Sequence, residues 1–224
     1  MARTASSLAR PWTVQPPHVP VGLDGLLVFD RPSESRLEAF LLSTAIVALA
    51  EMGDKTQLLS LVLAARYRKP WPIVAGILVA TLLNHALAGA VGAWIMATVG
   101  ADLMRWILGA SFIAMGLWML VPDQLDEDQA STTRHWGVFL TTTWAFFLAE
   151  MGDKTQVATV ALGAQYAPLV AVVAGTTLGM MLANAPVVFF GDAITRRVPI
   201  RLVHLLAAAI FVVMGALVLL GLGS

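Results

Sequence analysis

The chain has 224 residues, 58% of them hydrophobic and only 12% charged, with no net formal charge and a mean hydropathy of +0.78. A soluble domain is about half apolar and about a quarter charged, so the composition excludes an ordinary soluble globule. Zero net charge gives no bulk attraction to nucleic acid, and the absence of cysteine excludes disulfides and thiolate metal sites.

Residues 1–36 read as a loosely ordered tail. They carry Pro11, Pro16, Pro17, Pro20 and Pro32 with Arg3, Arg10, Arg31 and Arg36, and Gly22, Asp24 and Gly25 interrupt their one apolar stretch. No unbroken apolar core of signal-peptide type follows the first arginines. Six apolar stretches come next, at 38–64, 72–97, 103–121, 136–163, 168–190 and 200–222. Each is close to or beyond the roughly 20 residues that a bilayer-spanning helix needs. Arg66-Tyr67-Arg68-Lys69-Pro70 closes the first stretch, and Gly100 and Asp102 part the second from the third. Asp123, Asp126, Glu127 and Asp128 form a central acidic loop. Pro168 opens the fifth stretch, and Arg196, Arg197 and Pro199 precede the sixth. Trp71, Trp106 and Trp136 fall near predicted ends, as interfacial anchors do.

The peptide Leu49-Ala50-Glu51-Met52-Gly53-Asp54-Lys55-Thr56-Gln57 recurs without change at 148–156, shifted by 99 residues. At the same shift Leu63 matches Leu162, Ala65 matches Ala164, Tyr67 matches Tyr166 and Gly76 matches Gly175. Each half then holds three stretches. An odd number makes the halves enter the membrane from opposite sides, the inverted-repeat plan of secondary transporters. The expected architecture is an all-α integral membrane protein of six transmembrane helices in two inverted three-helix repeats. The first repeat covers 37–122, the acidic loop 123–135 and the second repeat 136–224.

The loops agree with inversion. Arg66, Arg68, Lys69, Arg134, Arg196, Arg197 and Arg201 fall on one side, against Arg105 in the short loops opposite. The tail adds its four arginines to the poorer side without reversing the balance. By the positive-inside rule the acidic loop is cytoplasmic and both termini lie outside.

Acids at membrane depth are costly and are functional candidates by default. On a continuous helix Glu51, Asp54 and Lys55 share one face, with Thr44 and Gln57 on the same stripe. The second copy repeats this with Thr143, Glu150, Asp153, Lys154 and Gln156. Thr56 and Thr155 fall off the stripe and are expected to bond backbone carbonyls. Gly53 and Gly152 either admit a neighbouring helix or let the helix unwind and offer carbonyl ligands. Four acids and two lysines leave two negative charges, which matches one divalent cation. Carboxylate, hydroxyl and amide oxygens suit Ca²⁺, Mn²⁺ or Mg²⁺ better than Zn²⁺ or Cu. A thioether from Met52 or Met151 would favour Mn²⁺ over Ca²⁺, although packing is the plainer role.

Without a cation, four ionised carboxylates cannot share a low-dielectric site, because desolvation and like-charge repulsion favour the protonated form. Metal binding would expel the proton, and that competition is all that exchange requires. Lys55 and Lys154 would neutralise the excess acid, hold the site open or occupy it in the proton-loaded state. Asn84 and Asn184, offset by 100 residues, either offer amide oxygens to the ion or bond between helices. His85 has no counterpart at that offset and reads as a satisfied structural residue. Asp192 falls near the end of the fifth stretch, close to Arg196.

The doubled E-x-G-D-[K/R]-[T/S] pattern, at Glu51–Thr56 and Glu150–Thr155 with an acidic central loop, resembles the calcium:proton antiporter-2 family. That family includes Golgi manganese and calcium transporters and bacterial manganese exporters. The resemblance covers residues 38–222 and implies cation/proton exchange with the motif acids as the cation site. The short chain resembles the bacterial form. The expectation is a transporter, not an enzyme, exporting Mn²⁺ or Ca²⁺ by alternating access across a cell inner (plasma) membrane. It needs no resident cofactor; its partners are the divalent cation, the bilayer and, left open, further copies of itself. Glu51, Asp54, Glu150 and Asp153 are the expected ligands, with Gln57, Gln156, Thr56 and Thr155 beside them. The rival readings are an intramembrane aspartyl protease using Asp54 and Asp153, an exporter of small organic cations, and a passive channel. A protease pair needs only two acids sharing a proton, and the motif face offers no apolar contacts for a carbon skeleton.

Overall fold

The computed structural model describes residues 32–99, 101–121, 137–191 and 199–222, and all the regular structure among them is helical. The tail before Pro32, the acidic loop, Trp136, Asp192, Arg196 and Arg197 lie outside the described residues. Among the described residues eight α-helices follow in order: α1 Pro32–Glu51, α2 Lys55–Tyr67, α3 Pro70–Val99, α4 Ala101–Trp118, α5 Gly137–Glu150, α6 Lys154–Gln165, α7 Leu169–Phe190 and α8 Ile200–Leu219. By length and composition α3, α7 and α8 can each cross a membrane, and α5 is a shorter apolar helix. Trp71 and Trp106 are both exposed.

The first and fourth apolar stretches are not continuous helices. Each breaks at its motif, so the expected single face carrying Glu51, Asp54 and Lys55 does not exist. The cause is local. Gly53 and Gly152 take positive φ, 84° and 79°, a conformation that glycine adopts without Cβ strain and that ends helices. Asp54 and Asp153 follow with extended φ,ψ at the N-cap positions of α2 and α6, a place where aspartate is preferred. Gly-Asp thus stops one helix and starts the next. α1 also begins at Pro32, inside the stretch read as tail.

The packing is reciprocal between the halves. α1 lies along α7 and α5 along α3, while α4 packs on α8. Gly76 of α3 presses on Phe139 O and Thr142 of α5, and Gly175 of α7 presses on Phe40 O and Ser43 of α1. Each of these residues is converted into its counterpart by the 99-residue shift. Close approach of backbones at small residues is how helices associate when no water drives them together. The same device brings Gly89 and Gly92 of α3 against Gly163 and Val160 of α6, and Gly109 of α4 against Gly215 of α8.

Two apolar cores flank the breaks. One joins Ile46, Phe112, Met115, Leu162 and Phe211 from α1, α4, α6 and α8; the other joins Leu59, Ile77, Phe146 and Val188 from α2, α3, α5 and α7. Both motifs are held between them.

Candidate cation site

The two helix breaks bring acids from both halves together. Glu51, Asp54 and Asp153 are buried and present carboxylate oxygens that all lie within 4.8 Å of one another. Glu150 is fully buried and is an electrostatic neighbour of Glu51, but falls outside that closest group. Lys55 Nζ lies 2.9 Å from Asp153 Oδ1, across the boundary between the halves.

The motif threonines hold the glutamates. Thr56 Oγ1 donates to Glu51 Oε2, and Thr155 Oγ1 lies 2.9 Å from Glu150 Oε2 and 3.3 Å from Asp153 Oδ2. They do not bond backbone carbonyls as the helical stripe implied, because the break turns them back towards the preceding helix end. Glu51 Oε1 and Glu150 Oε1 are buried with no hydrogen-bond partner among the described residues. A buried carboxylate oxygen left so is costly, and a bound cation or proton would satisfy it.

The glutamines brace the breaks. Gln57 Oε1 accepts from Gly53 N–H (2.9 Å) while its Nε2 donates to Ala183 O (2.8 Å). Gln156 Oε1 accepts from Gly152 N–H (2.7 Å). In this conformation both amide oxygens serve the backbone of the turn. Thr44 and Thr143, expected on the acid stripe, donate to Phe40 O and Phe139 O of their own helices and stand apart from the acid group. Met151 is 55% exposed and does not fill a core gap.

Outside the motif, Asn84 Nδ2 donates to Phe147 O of α5, and Asn184 Oδ1 accepts from Ser60 Oγ of α2 at 2.9 Å. Both asparagines bond between helices, one of the two roles left open. The glycine contacts show that the shift of 99 holds in α3 and α7, so the counterpart of Asn184 is His85, and Asn84 matches Ala183. His85 is fully buried, yet neither ring nitrogen has a hydrogen-bond partner among the described residues. The expected satisfied histidine is therefore unsatisfied.

Sequence reasoning missed three neighbours: Ser60, Ile200 and His204. Ile200 covers Gly53, and His204 Nε2 donates to Met52 O at 2.8 Å. A cavity of about 280 Å³ beside Asp54 and Gln57 is walled by Leu58, Leu61, Val187 and Ile200. The signal for His204 was the repeat shift itself, which pairs it with Arg105, the lone basic residue of the opposite short loops.

Comparison with known proteins identifies the family. The family model described as "Divalent cation/proton antiporter GDT1" matches residues 39–127 and 138–223. A Vibrio cholerae protein named "Putative manganese exporter" is 48% identical over 191 residues, spanning 85% of this chain and 94% of that relative. "GDT1-like protein 5" of Arabidopsis thaliana is 28% identical, over 81% of this chain and 95% of the relative. A GDT1-like protein of Synechocystis is 26% identical, over 78% and 93%. No solved structure matches. The protease and organic-cation readings gain nothing from these relatives. Two glycine-broken helices, a shared buried acid cluster and a match across both halves lead to one conclusion: the chain belongs to the GDT1 family of divalent cation/proton antiporters and is a transporter, not an enzyme.

Proposed function

We propose that this antiporter exports Mn²⁺ from the cytoplasm in exchange for protons, through one site shared by its two motifs. The observation that carries the reading is the buried meeting of Glu51 and Asp54 with Asp153 of the other motif. Oxygen ligands of this kind suit Mn²⁺ and Ca²⁺, and the name of the Vibrio cholerae relative favours Mn²⁺. Glu150 joins the other three acids when metal is bound, and Thr56 and Thr155 orient the glutamates. Gln57 and Gln156 keep the breaks open and offer amide oxygens only when the turn relaxes.

Six spans follow if α1 with α2, and α5 with α6, each cross once as a broken helix. The reciprocal contacts of Gly76 and Gly175 support two three-helix repeats of opposite orientation, covering 37–122 and 136–224 on either side of the loop 123–135. Alternating access then exposes one fixed site to one side of the membrane at a time. The loop charges favour a multi-pass inner-membrane protein with the acidic loop cytoplasmic and the termini outside.

The chemistry is competition. Protons and metal contend for the same oxygens, so apparent Mn²⁺ affinity falls as pH falls. The test is purified protein in liposomes with a pH-sensitive dye inside, given Mn²⁺, Ca²⁺, Mg²⁺ and Zn²⁺ in turn. Proton movement driven by Mn²⁺ and lost in Asp54→Asn and Asp153→Asn is expected. Normal exchange in both variants would sink the shared site, and metal flux without proton movement would make the protein a channel.

A further inference from the structure

The two motifs are identical in sequence but not in their surroundings. At the end of the molecule where α8 begins, Ile200 covers Gly53 and His204 Nε2 bonds Met52 O at 2.8 Å. Lys154 Nζ bonds Val121 O, just past the end of α4, at 2.6 Å. The 99-residue shift names the counterparts at the opposite end: Arg105 with Met151 O, and Lys55 with Leu220 O. Neither appears. Arg105 stacks over Trp106, with its guanidinium carbon 5.6 Å from the ring centroid. Lys55 bonds Asp153 instead. Among the described residues nothing approaches within 4 Å of the position a Cβ on Gly152 would take, and Met151 is 55% exposed.

We propose that the α4–α8 pair is the moving clamp of the antiporter: it docks on one motif break at a time, through His204 and Met52 O in the state described and through Arg105 and Met151 O in the opposite state. This rests on the antiporter reading above. α4 and α8 suit the role because they pack on each other through Gly109, Gly116 and Gly215, so they can shift as one body. His204 donates to a carbonyl that the helix break has released from helical bonding, and Arg105 is the donor that the 99-residue shift pairs with the matching carbonyl. A helix end offers such carbonyls without a partner of its own. Arg105 and His204 are therefore positioning residues, and neither is assigned to the metal.

The lysines follow the clamp. With α4–α8 docked at the first break, Lys154 Nζ bonds Val121 O while Lys55 stands on Asp153. In the opposite state Leu220 O takes Lys55 from Asp153. Lys55 is a tethered cation that occupies the acids from one side while the other side is open.

The chain has no cysteine, so engineered pairs can be read without background. Met52→Cys/His204→Cys and Met151→Cys/Arg105→Cys are each treated in liposomes with a short bis-methanethiosulfonate, with Mn²⁺-driven proton movement as readout. Both pairs should bridge, each bridge should cut exchange at least tenfold, and dithiothreitol should restore it. In a four-cysteine variant, bridging the first pair should protect the second. Failure of the second pair to bridge at any pH or Mn²⁺ load, while the unmodified chain exchanges, overturns the clamp and spares the antiporter. Both bridges in one molecule also overturn it, and no exchange by the unmodified chain removes both readings. Should a paired variant misfold, single Met52→Cys and Met151→Cys proteins are labelled with a maleimide. Their reactivities should move in opposite directions, at least threefold, between low and high Mn²⁺. Parallel or absent changes overturn the proposal.

Discussion

Lys55 Nζ stands 2.9 Å from the buried Asp153 Oδ1 and so joins the first motif to the second with a charge-assisted bond. The ammonium holds a carboxylate that a metal bridging the two motifs would need. A hydrogen bond to a charged group is worth about 1.5–3 kcal/mol, and about 1.4 kcal/mol is a factor of ten in affinity. Lys55→Gln is expected to tighten Mn²⁺ binding about tenfold at fixed pH and to slow turnover, because release loses its competitor. Binding by calorimetry with exchange in liposomes checks this, and weaker binding would mean that the lysine organises the site instead of competing for it.

Thr155 touches both Glu150 and Asp153, whereas Thr56 bonds Glu51. Residues that orient ligands typically carry about 10–100-fold in metal affinity. Thr155→Val should therefore weaken Mn²⁺ binding by roughly that factor, and more than Thr56→Val does, while Thr155→Ser stays within about twofold. Equal losses in the valine and serine variants would point to lost packing instead of a lost hydroxyl.

The two motif glycines should tolerate alanine differently. Both hold positive φ, which costs a non-glycine residue about 1–3 kcal/mol. A Cβ on Gly53 would in addition strike Ile200, and one on Gly152 would meet nothing within 4 Å among the described residues. Thermal unfolding in detergent should place Gly53→Ala well below Gly152→Ala. The reverse order would contradict the asymmetry between the two breaks.

At the α3–α6 crossing, a Cβ on Gly163 would approach Gly89 O at 2.6 Å. Overpacking of this kind costs about 1–3 kcal/mol. Gly163→Val should lower the unfolding midpoint and reduce exchange, while Val170→Ala, at a residue that is 83% exposed on α7, should leave the midpoint alone.

Much of this was legible in the chain. The doubled peptide pointed to Glu51, Asp54 and Asp153, whose carboxylates meet, and to Glu150, which stands outside the closest group. The helix positions followed from apolar length and from breakers such as Pro70 and Pro168. The acids were placed on one continuous helical face, although unwinding at Gly53 and Gly152, one of the two roles left open for those glycines, is what the structure shows. The stop signal of glycine and the start signal of aspartate were both present, side by side. Thr56 and Thr155 were misplaced for the same reason, since their direction depends on the break. The asparagines were paired at 100 residues on residue type alone, and the error hid the equivalence of His85 with Asn184 that backbone contacts at Gly76 and Gly175 fix. Ile200 was invisible because contact between distant helices leaves no local pattern, and the repeat shift that pairs His204 with Arg105 was not followed that far.

The reciprocal fit of Gly76 on Thr142 and Gly175 on Ser43 bears on what a half-length chain could do. Each half carries a groove whose ridge belongs to the other half, so neither can complete its own packing. A fragment ending in the central loop would be an unfinished object, with one acid pair and no second. Two copies of it, related by the same exchange, would supply one another's missing faces and recreate a four-acid site. Activity recovered by co-expressing the separated halves is what such interlocking demands.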